Sequence, residues 1–231
     1  MATIHLVGGE KGGVGKSLTA RLLAQYFIDH SYPFIGFDAD RSHGALLRFY
    51  SSYTTPILVD DYQSLDRMVE SAAAEPDRRV LVDLAAQTHQ PLARWMEESR
   101  LLETAKELNI RLVYWHVMDN GFDSVELLRR LLDEFNDRLP LVLVLNQVRG
   151  ERFDLLEASC QRTRAEGLGA KTVVLHRLAE STMHKIDAES RSFWSAMNHA
   201  AGADGTLGML ERQRVWVWMK RAYEELDRVG V

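Results

Sequence analysis

The stretch Gly8-Gly9-Glu10-Lys11-Gly12-Gly13-Val14-Gly15-Lys16-Ser17 constrains this chain more than any other. Its second half fits the G-x-x-x-x-G-K-[ST] pattern of a phosphate-binding loop, with Glu10 in the place of the first glycine and Gly8 and Gly9 just before it. Gly12, Gly13 and Gly15 let the backbone curl and turn its N–H groups inward with no Cβ in the way. A helix beginning near Lys16 would aim its positive end at the same anion. In such a loop Lys16 reaches the β- and γ-phosphates of a nucleotide, and the Ser17 hydroxyl ligates Mg²⁺. The flanks agree. Residues 2–7 read as a strand, and Leu18, Leu22, Leu23, Tyr26 and Phe27 recur at helical spacing. The alternative, a glycine-rich turn without a ligand, would not need that strand–loop–helix order.

Two further strands end in acids. Residues 33–38 run into Asp38-Ala39-Asp40, and residues 79–84 carry Asp83 near their end. In parallel α/β sheets ligand chemistry sits at the carboxyl ends of strands. Asp38 and Asp40 there could orient water or Mg²⁺; standing alone, the same triplet reads equally as a turn. Asp83 has the form of an aspartate that accepts from Mg²⁺-bound water near Ser17. Its plainer reading is a cap for a helix from about residue 90.

Lys11 needs a separate reason, because a plain phosphate loop uses only the second lysine. The run Lys11-Gly12-Gly13-Val14-Gly15-Lys16-Ser17 resembles the deviant Walker A ATPases, which include ParA and MinD proteins, arsenite-pump ATPases and nitrogenase iron protein. The resemblance implies a mostly parallel twisted sheet with helices on both faces and a site for ATP or ADP with Mg²⁺. It also implies ATP-dependent homodimerisation, in which Lys11 crosses to the partner's nucleotide. Residue by residue, it makes Lys11, Lys16 and Asp40 the catalytic set, with Asp40 aligning the attacking water. Gly12, Gly13, Val14, Gly15, Lys16, Ser17 and Leu18 contact the nucleotide; Ser17, Asp40 and Asp83 serve the metal. Asn146, after the strand at 140–145, matches an asparagine that contacts adenine in ParA and MinD relatives; a turn asparagine fits as well. The chain departs from the family after Asp40, where Arg41-Ser42-His43-Gly44 replaces the usual continuation, and after Asp83, where Leu84-Ala85-Ala86-Gln87 lacks the usual prolines. Both departures bear on the switch loops more than on the metal.

The remainder reads as alternating elements. Residues 57–59 suggest a short strand, 64–74 a helix with Leu65, Met68, Val69 and Ala72 on one face, and 91–100 and 101–108 two more helices. Residues 110–117 form a strand, Asp119-Asn120-Gly121 a turn and 124–135 an amphipathic helix. A helix over 154–166 carries Cys160 as a buried, inert thiol. A strand at 171–176, a core helix near 192–197 and a turn at 202–205 follow. The final helix, 207–229, sets Val215, Trp218, Met219, Ala222, Leu226 and Val229 on one arc, extended by Trp216 and Tyr223. Arg214, Arg221 and Arg228 lie opposite, either as a solvated face or as a contact for phosphate backbone.

Composition closes off several classes. The 231 residues suit one domain spanning 1–231. No apolar run is long enough to cross a bilayer, no signal peptide precedes the first strand, and the acidic ending argues against a membrane-binding tail. One cysteine excludes an internal disulfide, fits a cytoplasmic location and excludes the iron–sulfur branch of the family. The net charge of −5 means that DNA, if bound, meets a local patch.

A narrower resemblance, to TraL/MobD-type proteins of conjugative plasmids, rests on Ile4-His5-Leu6-Val7, the loop itself, Ala24-Gln25-Tyr26, the prolineless Asp83 segment and Arg212-Gln213-Arg214. It implies an ATP-driven, slowly hydrolysing switch serving plasmid partition, conjugative transfer or cargo positioning, with DNA or a DNA-bound adaptor as partner. Two other readings stay open. One is an ATP-dependent carboxylate synthetase on the same fold; the other is a regulator that holds nucleotide with little hydrolysis.

Overall fold

The computed structural model describes residues 1–40, 44–198 and 207–231. Seven strands form one sheet: β1 (Thr3–Gly8), β2 (Phe34–Asp38), β3 (Thr54–Pro56), β4 (Arg79–Asp83), β5 (Arg111–Met118), β6 (Leu141–Asn146) and β7 (Lys171–Leu175). Their order is β3-β2-β4-β1-β5-β6-β7, and every pairing is parallel. Parallel strands covered on both faces read as continuous apolar runs, and β1 is buried along its whole length.

One face packs under α1 (Lys16–Asp29), α10 (Phe193–Asn198) and α11 (Met209–Val229), with Phe27, Trp115, Phe193 and Trp218 in its core. The other lies under α3 (Tyr62–Ala73), α4 (His89–Glu98) and α5 (Leu101–Glu107), around Leu65, Trp95 and Tyr114. A smaller cluster joins α6 (Phe122–Phe135) to α7 (Asp154–Ala158) and α8 (Gln161–Gly167). Short α2 (Ala45–Phe49) and α9 (Glu180–Ala188) complete the described α-helices, and a 3₁₀ turn covers Gln147–Arg149. All strands point the same way, so Gly8, Asp38, Asp83, Met118 and Asn146 end on one edge of the sheet. The mostly parallel doubly covered sheet is the architecture expected.

Four local expectations need correction. The short strand is Thr54–Pro56, paired to β2, and residues 57–59 are not strand. Ile57 N–H still bonds the Asp38 carbonyl, but the next N–H, of Leu58, is captured by the Ser64 hydroxyl at 2.9 Å. The helix at 154–166 breaks at Cys160, whose φ of 58° is left-handed, and the thiol is exposed rather than buried. Ser159 causes the break in part: its hydroxyl bonds the Leu156 carbonyl and accepts from Gln161 N–H. Trp216 lies 51% exposed, off the buried arc of α11. Arg228 is not part of a free stripe, since it reaches the Thr172 carbonyl and Glu225. Residues 41–43, the altered continuation after Asp40, and the turn at 202–205 lie outside the described residues.

Candidate nucleotide site

The loop between β1 and α1 has the shape its glycines require. Gly13 and Gly15 adopt left-handed φ of 73° and 100°. A Cβ on Gly15 would stand 2.1 Å from Asn146 Nδ2, so both conformation and space demand glycine there. Gly15 is the N-cap of α1, and its carbonyl takes the Thr19 N–H and hydroxyl. Gly12 and Gly13 are open to solvent, whereas Val14 is fully buried and anchors the loop in the core. Ser17 and Leu18 form the first turn of α1, both partly exposed at the mouth.

Lys16 curls back over the loop and donates to the Lys11 carbonyl at 2.9 Å. It is 8% exposed. Burial lowers its pKa, while Asp83, Glu10 and Asp40 pull the other way. The ammonium thus sits in a partly dry pocket with acids around it, its visible partner a backbone carbonyl.

The acids arrive by strand register. Asp38 and Asp83 are direct neighbours on β2 and β4, and Val7 pairs with Asp83 from the other side. Asp38 is spent on structure: its carboxylate accepts from Asp40 N–H and Leu47 N–H, each at 2.9 Å. That leaves Asp40, partly exposed, at the edge of the site. Asp83 is 1% exposed, and neither carboxylate oxygen has a hydrogen-bond partner among the described residues. Its own burial, then Asp38 beside it, push its pKa up to about 7; the Ser17 hydroxyl and Lys16 counter this only in part.

A buried carboxylate with two orphan oxygens next to a serine hydroxyl fits a hard divalent cation. Among the described residues no three His, Cys, Asp or Glu side chains cluster as a full metal cage. That suits Mg²⁺, which keeps waters and takes phosphate oxygens as ligands. Ser17, Asp83 and Asp40 are the residues that would serve it.

Two residues behave in ways their sequence pattern did not reveal. Asn146 is 2% exposed; its Nδ2 donates to the Val14 carbonyl at 2.7 Å and its Oδ1 accepts from Val148 N–H at 3.2 Å. It is placed as a clamp between β6 and the loop, with both ends of the amide engaged. Asp119, read above as a turn residue, is fully buried at the end of β5. It accepts from the Ser124 hydroxyl at 2.6 Å, Gly121 N–H at 3.1 Å and Lys11 Nζ at 3.2 Å, and pairs with Arg149 at 3.2 Å. Burial alone would raise its pKa, but those donors bring it below the usual carboxylate value. Lys11 also lies 3.9 Å from Asp123. Glu10, in the place of the missing glycine, accepts from the His89 N–H at 2.7 Å and ties the loop to the start of α4. The rule that marked Asp38 and Asp83, an acid ending a strand, applies equally to Asp119.

Comparison with known proteins agrees with this geometry. Residues 6–183 match the CobQ/CobB/MinD/ParA nucleotide binding domain. The chain is 29% identical to protein MobD of Acidithiobacillus ferrooxidans over 98% of its own length and 97% of the relative's. It is 25% identical to protein TraL of Escherichia coli, with both chains fully covered. Among solved structures, the MinD cell division protein of Aquifex aeolicus shares the fold at a TM-score of 0.54 and 14% identity, covering 97% of each chain. The chain therefore belongs to the CobQ/CobB/MinD/ParA nucleotide-binding family, with MobD and TraL as distant full-length relatives.

Proposed function

We propose that this chain is an ATP-driven dimerisation switch that hydrolyses slowly and serves DNA mobilisation, conjugative transfer, partition or cargo positioning. The observation that carries the reading is the placement of Lys11. A plain phosphate loop has no use for it, yet here it sits at the loop's rim, 19% exposed and tethered to Asp119. Such a group can leave its own subunit and meet a triphosphate held by a second copy.

In this reading Gly12–Ser17 cradles the phosphates through backbone N–H groups, and Lys16 gives up the Lys11 carbonyl for a phosphate oxygen. Mg²⁺, when bound, neutralises charge on the phosphate oxygens. Ser17 and Asp83 hold its shell, and Asp40 orients the attacking water. Loss of the γ-phosphate removes the anion that Lys11 crosses for, so the pair separates. The likeness to MobD and TraL supports DNA, or a DNA-bound protein, as the partner. Arg214 and Arg221, which flank a cavity of about 280 Å³ with Arg177 and Trp218, are the cations available for it.

A second reading has one observation in its favour. A cavity of about 450 Å³ opens beside Glu10, lined by His89, Tyr114, His116 and Arg130, and is large enough for a small substrate. A carboxylate synthetase would use it.

Measuring the mass of the purified protein with ADP, ATP and a non-hydrolysable analogue, with and without duplex DNA, separates the two. A switch doubles in mass with ATP and with the analogue, and stays single with ADP. A synthetase keeps one mass throughout, and that result would end the switch reading.

A further inference from the structure

The opposite edge of the sheet holds a second cluster that the nucleotide site does not use. Thr3 on β1 is in register with Arg79 on β4 and with Arg111 on β5. Residues in register on parallel strands face the same side, so two guanidiniums flank Thr3 on the face covered by α11. His5, two residues along β1, faces the same side. These residues line a cavity of about 180 Å³, closed by Met1, Trp115, Val229, Gly230 and Val231.

His5 is 3% exposed. Its Nδ1 lies 3.2 Å from Trp115 Nε1, and indole can only donate. Nδ1 must therefore accept, which leaves the proton of the neutral ring on Nε2. That N–H has no partner among the described residues. Burial, with Arg79 and Arg111 nearby, lowers the imidazole pKa to about 3, so the ring stays neutral at ordinary pH. Neither arginine has a carboxylate within salt-bridge reach among the described residues. Arg79 donates to the Asp77 carbonyl and lies over Tyr32, which uses only part of its five donors. The Asp77 carboxylate is taken by the Met1 ammonium.

A buried donor left without an acceptor is destabilising, and two guanidiniums without a carboxylate line the same cavity. One species would satisfy all three. The geometry points to a binding site for a single small tetrahedral oxyanion, of the phosphate or sulfate class, held by Arg79, Arg111 and the Nε2–H of His5. The cavity lies below the roughly 300–1,000 Å³ of pockets that take drug-sized ligands, and a water needs roughly 10–15 Å³, so an ion with a few waters fits and a nucleotide does not.

The test keeps the nucleotide loop occupied. Potassium phosphate is titrated into the Mg·ADP-loaded protein at constant ionic strength, with chloride as the control. Calorimetry and the ring N–H resonance of His5 are followed. The expected result is saturable binding that moves the His5 signal and weakens at least about tenfold in the Arg79→Gln/Arg111→Gln double variant, with ADP affinity unchanged. Arg111→Gln alone, at an exposed strand end, gives a smaller loss and covers the case in which the double variant does not fold. An equal response to chloride, an unmoved His5 resonance or wild-type phosphate affinity in Arg111→Gln would overturn the site.

Discussion

Lys11 Nζ and Asp119 Oδ1 stand 3.2 Å apart although 108 residues separate them in the chain. The carboxylate is fully buried and the ammonium mostly so, so moving the lysine away leaves a buried charge short of one partner. It fixes the lysine in the single subunit, and any crossing to a second copy must first break it.

Asp119→Asn should therefore free Lys11. The analogue-bound dimer is expected to form at about tenfold lower protein concentration, equivalent to about 1.4 kcal/mol. Lys11→Ala should abolish that dimer and leave nucleotide affinity of the monomer nearly unchanged. Sedimentation with the non-hydrolysable analogue reads both. Equal dimer constants in wild type and Lys11→Ala would remove the lysine from the interface.

Asp83→Asn keeps the size of the side chain but not its charge. Nucleotide affinity measured with Mg²⁺ should fall about 10–100-fold, while affinity in EDTA should change little. A loss of the same size in EDTA would mean that Asp83 shapes the loop rather than serving the metal.

Asn146→Ala removes the clamp on the Val14 carbonyl. A loss of roughly 1–3 kcal/mol in urea unfolding is expected, because a buried carbonyl loses its donor. A clamp also predicts equal losses of ATP and GTP affinity. A selective loss of ATP would instead make Asn146 a reader of the base.

His116 gives a pH-dependent prediction. Buried at 3% exposure, it has its pKa lowered to about 4 by burial first. A histidine with a depressed folded pKa contributes stability that is present above the unfolded value near 6.5 and is lost as pH falls toward 4. His116→Leu removes that proton uptake. Its stability relative to wild type should rise by about 1.4 kcal/mol per pH unit as pH falls from 6.5 to 4. Urea curves for both proteins at pH 7 and pH 5 check this; a constant difference would show that His116 titrates in the fold as it does in the unfolded chain.

Arg214→Ala/Arg221→Ala tests the DNA contact. Binding to duplex DNA should weaken, and the slope of log affinity against log salt should flatten by about 2. Arg228 is left out because it is bonded to the Thr172 carbonyl. An unchanged slope would leave these arginines as ordinary surface.

Much of this was legible in the chain because the strongest signals are local. The loop, its helix and the strand acids Asp38 and Asp83 each declare themselves within ten residues. What escaped depends on residues far apart. Asn146 and Val14 meet only once β6 lies beside β1's neighbour β5, and no spacing in the sequence encodes an amide reaching 132 positions back. Asp119 was hidden by its company, since Asp-Asn-Gly is also the composition of a tight turn. Cys160 misled because one serine hydroxyl, at Ser159, diverts the backbone from a helix that periodicity alone would continue.

The close fit of Gly15 against Asn146 has a historical implication. A methyl at position 15 would meet the amide 2.1 Å away, and the left-handed φ of 100° would strain any side chain there even with the amide gone. In any lineage of such chains the constraint therefore runs one way: position 146 can change while position 15 stays glycine.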